Sequence, residues 1–465
     1  MKYNEQIDMS SFLFPRLKIT KPIRLIELFA GIGAQSKALE RIGVDFESYR
    51  ICEWATPSIL AYSAIHHCSM GKDYTEGMTK DEVTERLAQI GVSSDYCRPM
   101  TPDQTKRLPE EKARAIYNAI EDEHNLVDIS KAHGNDFGIE KQNNRTYTYI
   151  MTYSFPCQDL SLAGNQKGMA KGSGTRSGLL WEVERILSEL ERERELPDIL
   201  LMENVPQVIG TRNIKDFNAW YNSLSLMGYR SYVSILNSKD YGIPQNRKRC
   251  FMVSCLGNYF YEFPMKQENR KTLKEILEHD VPRKYFLSDK MKKCIIRGWG
   301  ITPTVRLINK DTAGTLTTKE GNYNATESNY FCEKLPENCS LSQLDCLAIQ
   351  ETTKKGYAIA KEGDGVDISS RGENHRGKVQ KEMSQTIKAH NDCGVVVKAM
   401  RTRVDTYMET LDIRRLTPLE CYRLMGFDDE DFNNASTVLS DSMLYHIAGD
   451  SIVVNVLEAI FRQML

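Results

Sequence analysis

The sequence predicts an α/β fold built on a mostly parallel sheet, followed by a smaller, irregular, β-rich second domain. Three observations predict it. Apolar strand-like runs alternate with amphipathic helical stretches from about residue 23 to residue 254. The first strand runs straight into a glycine-bearing turn and then a helix. From about residue 265 the alternation gives way to short polar segments, turn residues and β-like fragments. A chain of 465 residues is long enough for two domains or more.

Residues 1–20 read as a weakly ordered lead-in. Ile23 to Phe29 is a short alternating apolar run, hence a strand. Ala30, Gly31, Ile32, Gly33 and Ala34 make a tight turn, because glycine reaches backbone conformations closed to other residues. A helix follows from Ser36 to Ile42, and Gly43 suits its C-terminal end. This unit opens a nucleotide-binding sheet, or is a generic βα turn. Glu47 to Trp54 reads as a second strand. Glu53 stands about twenty positions after the glycine turn, where a carboxylate can accept hydrogen bonds from ribose hydroxyls. Trp54 beside it could lie flat on an adenine ring. A surface Glu and a packed Trp fit the pair equally well.

Residues 70–125 are polar and helical in pattern and read as an insertion on the surface. Val127, Asp128 and Ile129 follow. Tyr149 to Tyr153 has the character of a buried strand, which Pro156 stops by fixing φ and removing an N–H. Cys157 comes at once, where the chain leaves the sheet. Such a Cys is a small buried hydrophobe or a nucleophile, and alone the buried reading stands ahead. The Gly-rich stretch from Ala163 to Gly178 is a permissive, mobile loop. Leu179 to Arg194 is an amphipathic helix. Pro197 to Met202 is a strand that ends in Glu203, Asn204 and Val205. A further αβ unit leads to Gln245, Arg247 and Arg249, and Phe251 to Ser254 returns to a strand. Beyond it, Gly314–Thr318 and Gln385–Ala389 are β-like fragments. Ser451 to Phe461 closes the chain as an amphipathic helix packed back on the first domain.

Net charge is −2, so no global electrostatic signature of nucleic-acid binding is present, and any basic face must be offset by acidic residues elsewhere. The start has no signal-peptide core, and no apolar run is long enough to cross a membrane. A soluble, cytoplasmic protein is therefore expected. The twelve cysteines include no Cys-x-x-Cys pair. Cys332, Cys339 and Cys346 recur at seven-residue steps without a close Cys pair or His to complete a tetrahedral site. Reduced thiols and no metal are expected.

Three strand ends carry chemistry in order: Pro156-Cys157, Glu203-Asn204, and Gln245 with Arg247 and Arg249. In a parallel sheet these ends share one edge, so a thiol, a carboxyl and two guanidiniums converge in one cleft. Arginines there would depress the thiol pKa and favour the thiolate.

With these residues in place the sequence resembles the C5-cytosine DNA methyltransferase family through nearly its whole length, with the motifs in the family's order. Phe29 to Gly33 resembles the cofactor loop, Glu53-Trp54 the ribose and adenine contacts, and Asp128-Ile129 the third cofactor element. Pro156-Cys157-Gln158 is similar to the nucleophile motif, with Arg176 and Leu179 in the segment after the mobile loop. Glu203-Asn204-Val205 is similar to the catalytic-acid motif. Gln245, Arg247 and Arg249 resemble the motif that holds base and backbone. Arg414 to Phe427 resembles the support of the recognition domain, and Gly449 to Asn455 the closing motif, which returns to the cofactor site.

The resemblance implies a Rossmann-like S-adenosylmethionine-dependent methyltransferase domain over 1–264. It implies a target-recognition domain with hinge over 265–446, and a returning helix over 447–465. It implies Cys157, Glu203, Arg247 and Arg249 as catalytic residues. Phe29, Ala30, Gly31, Ile32, Gly33, Glu53, Trp54, Asp128, Ile129, Pro156, Leu179, Asp450 and Ser451 would hold S-adenosyl-L-methionine. Gln158, Ser161, Lys167, Arg176, Gln245, Arg401 and Arg403 would meet double-stranded DNA, with Lys171 a further phosphate contact. His375, Arg376, Lys388, His390 and Asn391 are further candidates, though any one of them reads first as a solvated turn residue. The enzyme would work as a monomer, in a restriction–modification system whose endonuclease is a separate chain, or standing alone. Two departures from the pattern are Ala34, where many members have a third Gly, and Asp450, where most have Asn. Asp136 rivals Asp128 on spacing, but Val-Asp-Ile-Ser resembles the family's third element more closely. An RNA cytosine methyltransferase is the alternative within the resemblance, which the long second segment disfavours. A nucleotide-dependent oxidoreductase could share the glycine turn but leaves Cys157, Glu203 and the arginines without a role.

Overall fold

The computed structural model describes residues 14–66, 71–160, 167–267, 271–288, 346–351, 356–368, 378–388, 392–403 and 406–465, with the backbone alone over 399–403 and 406–411. The chain divides into two compact units, one of residues 1–271, 388–390 and 418–465, the other of residues 272–387 and 391–417.

The first unit is built on six strands: β1 (Ile23–Leu28), β2 (Phe46–Cys52), β3 (Thr148–Tyr153), β4 (Ile199–Asn204), β5 (Tyr229–Asn237) and β6 (Lys248–Leu256). Their order is β2-β1-β3-β4-β6-β5. The first four run parallel, with Leu28 level with both Cys52 and Tyr153, and Tyr153 level with Met202. β6 runs antiparallel to β4 and to β5. The sheet is therefore largely rather than wholly parallel. Arg249 sits at the beginning of a reversed strand and not at a strand's end, and the reversal is what brings it to the edge where β4 finishes, since Asn204 pairs with Cys250.

Central strands buried on both faces should be apolar throughout, and Leu25, Ile26 and Leu28 of β1 are wholly buried. Each contributes about 1.5–3 kcal/mol to the folded state. One face is covered by α6 (Leu180–Glu193) and α7 (Ile214–Leu226), whose Val183, Ile186, Leu187, Trp220 and Leu224 pack on Met151, Tyr153, Leu200 and Met202. The buried Trp220 indole satisfies its polar atom by donating to the Tyr153 hydroxyl, 3.1 Å away. On α1 (Ala34–Ile42), Arg41 pairs with Glu458 of α11 (Val454–Arg462) at 2.8 Å.

The polar insertion is more than a surface decoration. Its helices α3 (Lys80–Ile90) and α5 (Glu110–Asp122) bury Val83, Leu87, Ala113, Ile116 and Ile120 against Ile59 and Leu60 of α2 (Thr56–His66). The short α4 (Pro102–Lys106) lies between them. Thr79 begins α3 as a reciprocal cap with Glu82, and Gly91 ends it.

Residues 418–446, expected with the second domain, belong to the first unit. They form α8 (Pro418–Met425), α9 (Asp429–Val438) and most of α10 (Asp441–Asp450). Lys37 of α1 pairs with Asp428 at 3.3 Å and Asp431 at 3.0 Å, and Arg41 donates to the Gly426 carbonyl at 2.5 Å. The stretch Asp441–Arg462 is long and apolar enough by composition to cross a membrane, against expectation, but it is mostly buried within the unit, as core helices are.

The second unit holds two small antiparallel sheets, one of β7 (Leu347–Gln350) and β8 (Tyr357–Ala360). The other is ordered β10-β9-β11-β12, from Val379–Gln380, Gly365–Asp367, Cys393–Arg403 and Thr406–Arg415. Leu287, Ile349, Val366, Ile368, Val396 and Ile413 form its core. Gln385 to Lys388 carries no strand, contrary to the expected β fragment, and Gly314–Thr318 lies outside the described residues.

Candidate active site

At the edge where β1 to β4 end and β6 begins, the first unit encloses a cavity of ≈ 490 Å³. That lies within the roughly 300–1,000 Å³ usual for small-molecule sites. One end is built by the glycine turn. Phe29 adopts a positive φ of 58°, and its N–H donates to the Cys52 carbonyl at 2.8 Å. The Gly31 N–H donates to Glu53 Oε2 at 3.0 Å, and the Ala55 N–H to Oε1 at 2.8 Å. Burial pushes the Glu53 carboxyl up to about 7, against these backbone bonds, which lower it. Phe29, Gly31, Glu53 and Trp54 line the cavity. Ala30, Ile32 and Gly33 shape the turn without lining it. Gly33 has φ 71°, and a Cβ there would run into the side chains of Tyr62 and His66, so glycine is required on both counts.

Asp128 and Ile129 line the same end. Asp128 Oδ1 accepts from the Ser130 hydroxyl at 2.7 Å and its N–H at 3.0 Å. Asp136, the rival on spacing, stands away from the cavity lining and accepts the His133 N–H at 2.8 Å as a local cap. Leu179 and Asp450 also face the cavity, and His446 Nε2 lies 3.2 Å from the Asp450 carboxylate. Ser451 is buried and outside the lining.

The other end is built by the chain after β3. The Asn204 side-chain amide donates to the Phe155 carbonyl at 2.9 Å, and the Ser177 hydroxyl to the Pro156 carbonyl at 2.6 Å. These bonds fix the turn that presents Cys157, half-buried, to the cavity. Arg249 Nε lies 3.0 Å from Glu203 Oε1, and the Ser154 hydroxyl donates to Oε2. The expected depression of the Cys157 pKa is not found. Burial raises the thiol, with Glu203 and Asp450 adding to that rise, and Arg249 and Arg247 only partly oppose it.

Arg247 and Arg249 both line the cavity and differ in their partners. Arg247 is buried and donates to the carbonyls of Gly449 at 3.0 Å and Ser451 at 2.7 Å, which ties the start of β6 to the end of α10. Gln245, expected at DNA, is wholly buried and donates to the Leu424 carbonyl at 2.7 Å. It is a brace between segments, because the turn before β6 points inward. At the cavity mouth Arg176 donates to Gln158 and to Cys97 Sγ, the latter at 2.7 Å. Lys167 is exposed. Lys171 is paired with Glu184 and lies 5.1 Å from the centre of the Trp181 ring. Arg401 and Arg403 lie on β11 and Lys388 is exposed. Ser161, His375, Arg376, His390, Asn391 and the side chains of Arg401 and Arg403 lie outside the described residues. Among the described residues no group of three or more His, Cys, Asp or Glu is placed to hold a metal ion.

Sequence reasoning missed Ser154, Tyr96 and Cys97. Ser154 follows the last residue of β3, and a hydroxyl just beyond a buried strand is a signal that could have found it. Tyr96 and Cys97 line the cavity from the insertion, and nothing local in the sequence announces that.

Residues 106–465 match the family described as C-5 cytosine-specific DNA methylase. The chain is 32% identical over 450 residues to the orphan methyltransferase M.SssI of Spiroplasma monobiae, covering 96% of this chain and 98% of that one. It is 30% identical over 444 residues to the type II methyltransferase M2.ScrFI of Lactococcus lactis subsp. cremoris, covering 95% and 99%. In fold it is similar to the crystal structure of the S. pombe Dnmt2 methyltransferase, with a TM-score of 0.50 at 14% identity, covering 96% and 98% of the two chains.

Proposed function

The chain belongs to the C-5 cytosine-specific DNA methylase family and is a DNA cytosine-C5 methyltransferase, and from that premise we propose that it moves a methyl group from S-adenosyl-L-methionine to C5 of a cytosine flipped out of double-stranded DNA at a defined target sequence. The observation that carries this reading is the meeting of Cys157, Glu203 and Arg249 at one end of a cavity whose other end holds Glu53 and Trp54. The donor end fits the methyl donor. Beyond Gly31 a Cβ would meet nothing within 4 Å, so a ligand can approach the backbone there. Glu53 is placed for ribose hydroxyls, Phe29 and Trp54 offer apolar faces, and Asp128 is placed for the adenine amino group. The donor supplies an electrophilic methyl carbon.

Cytosine C5 is too weak a nucleophile to take that methyl group unaided. The Cys157 thiolate adds to C6, forming an S–C6 bond and moving electron density to C5. Charge developing at N3 and O2 is met by Glu203, sharing a proton with N3, and by Arg249, toward O2. Arg249 reaches this position through its ion pair with Glu203, while Ser154 orients the second carboxyl oxygen. Arg247 acts as a positioning residue, through its bonds to Gly449 and Ser451. After transfer a proton leaves C5, the double bond re-forms and the Cys157 sulfur departs. The base must leave the stack to reach this cavity, at a cost of a few kcal/mol. Gln158 and Arg176 at the mouth are the DNA-side groups, and the second unit reads the target.

With purified protein and labelled donor, methyl transfer is expected to duplex DNA and not to tRNA, and bisulfite sequencing is expected to place it at one recurrent sequence. Transfer to tRNA alone would overturn the substrate assignment. Donor binding should also depend on pH through Glu53. Ribose hydroxyls favour the ionised carboxylate, so the complex holds this group ionised more strongly than the free protein does. Affinity therefore rises as pH climbs through about 7 and falls several-fold as pH drops from about 8 to about 6. In Glu53→Gln calorimetry should find weaker binding and a flattened profile. A profile as steep as that of the unsubstituted protein would remove Glu53 from this role.

A further inference from the structure

The insertion contributes a wall to the cavity through the loop from Ser93 to Pro99, and that loop is laced to the residues after Glu53. The Ser93 N–H donates to the Trp54 carbonyl and the Thr56 N–H to the Ser93 carbonyl, both at 2.7 Å. Asp95 Oδ1 accepts the N–H groups of Cys97 at 2.8 Å and Arg98 at 3.1 Å, which draws the loop into a tight turn. At its centre Tyr96 has a positive φ of 59°, a conformation that bulky residues adopt only under constraint. The Tyr96 ring packs on His446, with centroids 4.4 Å apart, and its hydroxyl lies 3.3 Å from Ser58 Oγ. His446 in turn stands 3.2 Å from the Asp450 carboxylate. Tyr96, His446 and Asp450 thus form a continuous side of the cavity, in which Tyr96 and Asp450 face the ligand space. Asp450 lines the same cavity as Glu53 and Cys157, so this side is shared by the donor end and the base end.

We propose that Tyr96 is a positioning residue for the methyl donor: braced by His446, it walls the middle of the cavity and, with the Asp450 carboxylate, holds the donor's cationic amino-acid and sulfonium portion. The inference rests on the reading of the cavity as an S-adenosylmethionine site. Its chemistry is that of a cation between an aromatic ring and a carboxylate. The product, S-adenosylhomocysteine, has lost the sulfonium charge, so the wall discriminates donor from product.

Calorimetry on the full chain tests it. Tyr96→Ala is expected to weaken S-adenosylmethionine binding roughly three- to thirtyfold, to weaken S-adenosylhomocysteine binding less, and to leave duplex-DNA affinity as it was. Tyr96→Phe, which keeps the ring on His446 and loses only the Ser58 bond, is expected to restore donor affinity to within about twofold. Tyr96→Leu, which keeps bulk without the ring, is expected to repeat the Ala pattern and replaces it as the test where the Ala variant does not fold. Unchanged donor affinity in both Ala and Leu variants overturns the inference. So does an equal loss for donor, product and DNA, which is the mark of a merely loosened fold. Unsubstituted protein that does not bind S-adenosylmethionine at all overturns the functional reading, and this inference with it.

Discussion

Cys157→Ala loses methyl transfer by at least about four orders of magnitude while still binding duplex DNA and the methyl donor. The substitution removes the one nucleophilic atom at the base end and little else. The turn that presents it is held by the Asn204 bond to the Phe155 carbonyl and the Ser177 bond to the Pro156 carbonyl, neither of which involves the thiol. Fold and cavity should therefore survive. A gel-shift assay beside a labelled-methyl assay separates the two effects. Near-native turnover in this variant would sink the covalent mechanism. Burial raises the thiol's pKa, and Arg249 and Arg247 oppose that rise.

Glu203→Gln lowers kcat by roughly two to four orders of magnitude and leaves donor affinity nearly unchanged. An amide keeps the shape and can still accept from Arg249, but it cannot pass a proton toward N3. It also removes the charge that Arg249 faces across 3.0 Å, in a pair whose side chains are mostly buried. A stability loss of about 1–3 kcal/mol accompanies the kinetic effect. Single-turnover kinetics with saturating donor should place the loss in the chemical step. If the variant instead bound donor poorly and turned over normally once saturated, Glu203 would belong to the other end of the cavity.

The parts of the molecule legible in the sequence are those whose cause is local. The β1 strand, the Gly31–Gly33 turn and α1 follow from periodicity and from positive φ at glycine. The stops after β3 and β4, with Cys157 and Glu203 at them, follow from Pro156 and from the end of an apolar run. Strand direction was hidden, because the reversal of β6 is decided by pairing with β4 and β5 far along the chain. The different partners of Arg247 and Arg249, which both line the cavity, were hidden for a related reason. Arg247 precedes the strand and turns inward to two carbonyls, while Arg249 faces Glu203. Gln245 looked like a surface contact because its partner, the Leu424 carbonyl, is a backbone atom 179 positions away. The insertion looked like a polar surface addition because its apolar faces are thin in any one window. Packed together they carry Tyr96 and Cys97 to the cavity. The thiol was misjudged on charge alone, since proximity of arginines is visible in a motif and the extent of burial is not.

The central claim is that Cys157 bonds to cytosine C6 during transfer. Once bisulfite sequencing has located the target cytosine, a duplex carrying 5-fluorocytosine there tests it directly, because C5 then has no proton to lose and the adduct cannot resolve. With the methyl donor present, the account predicts a denaturation-resistant protein–DNA complex, with the nucleotide on the peptide containing Cys157 by mass spectrometry. Methylation of ordinary target DNA with no trapped complex, or a nucleotide attached to any other residue, would contradict it.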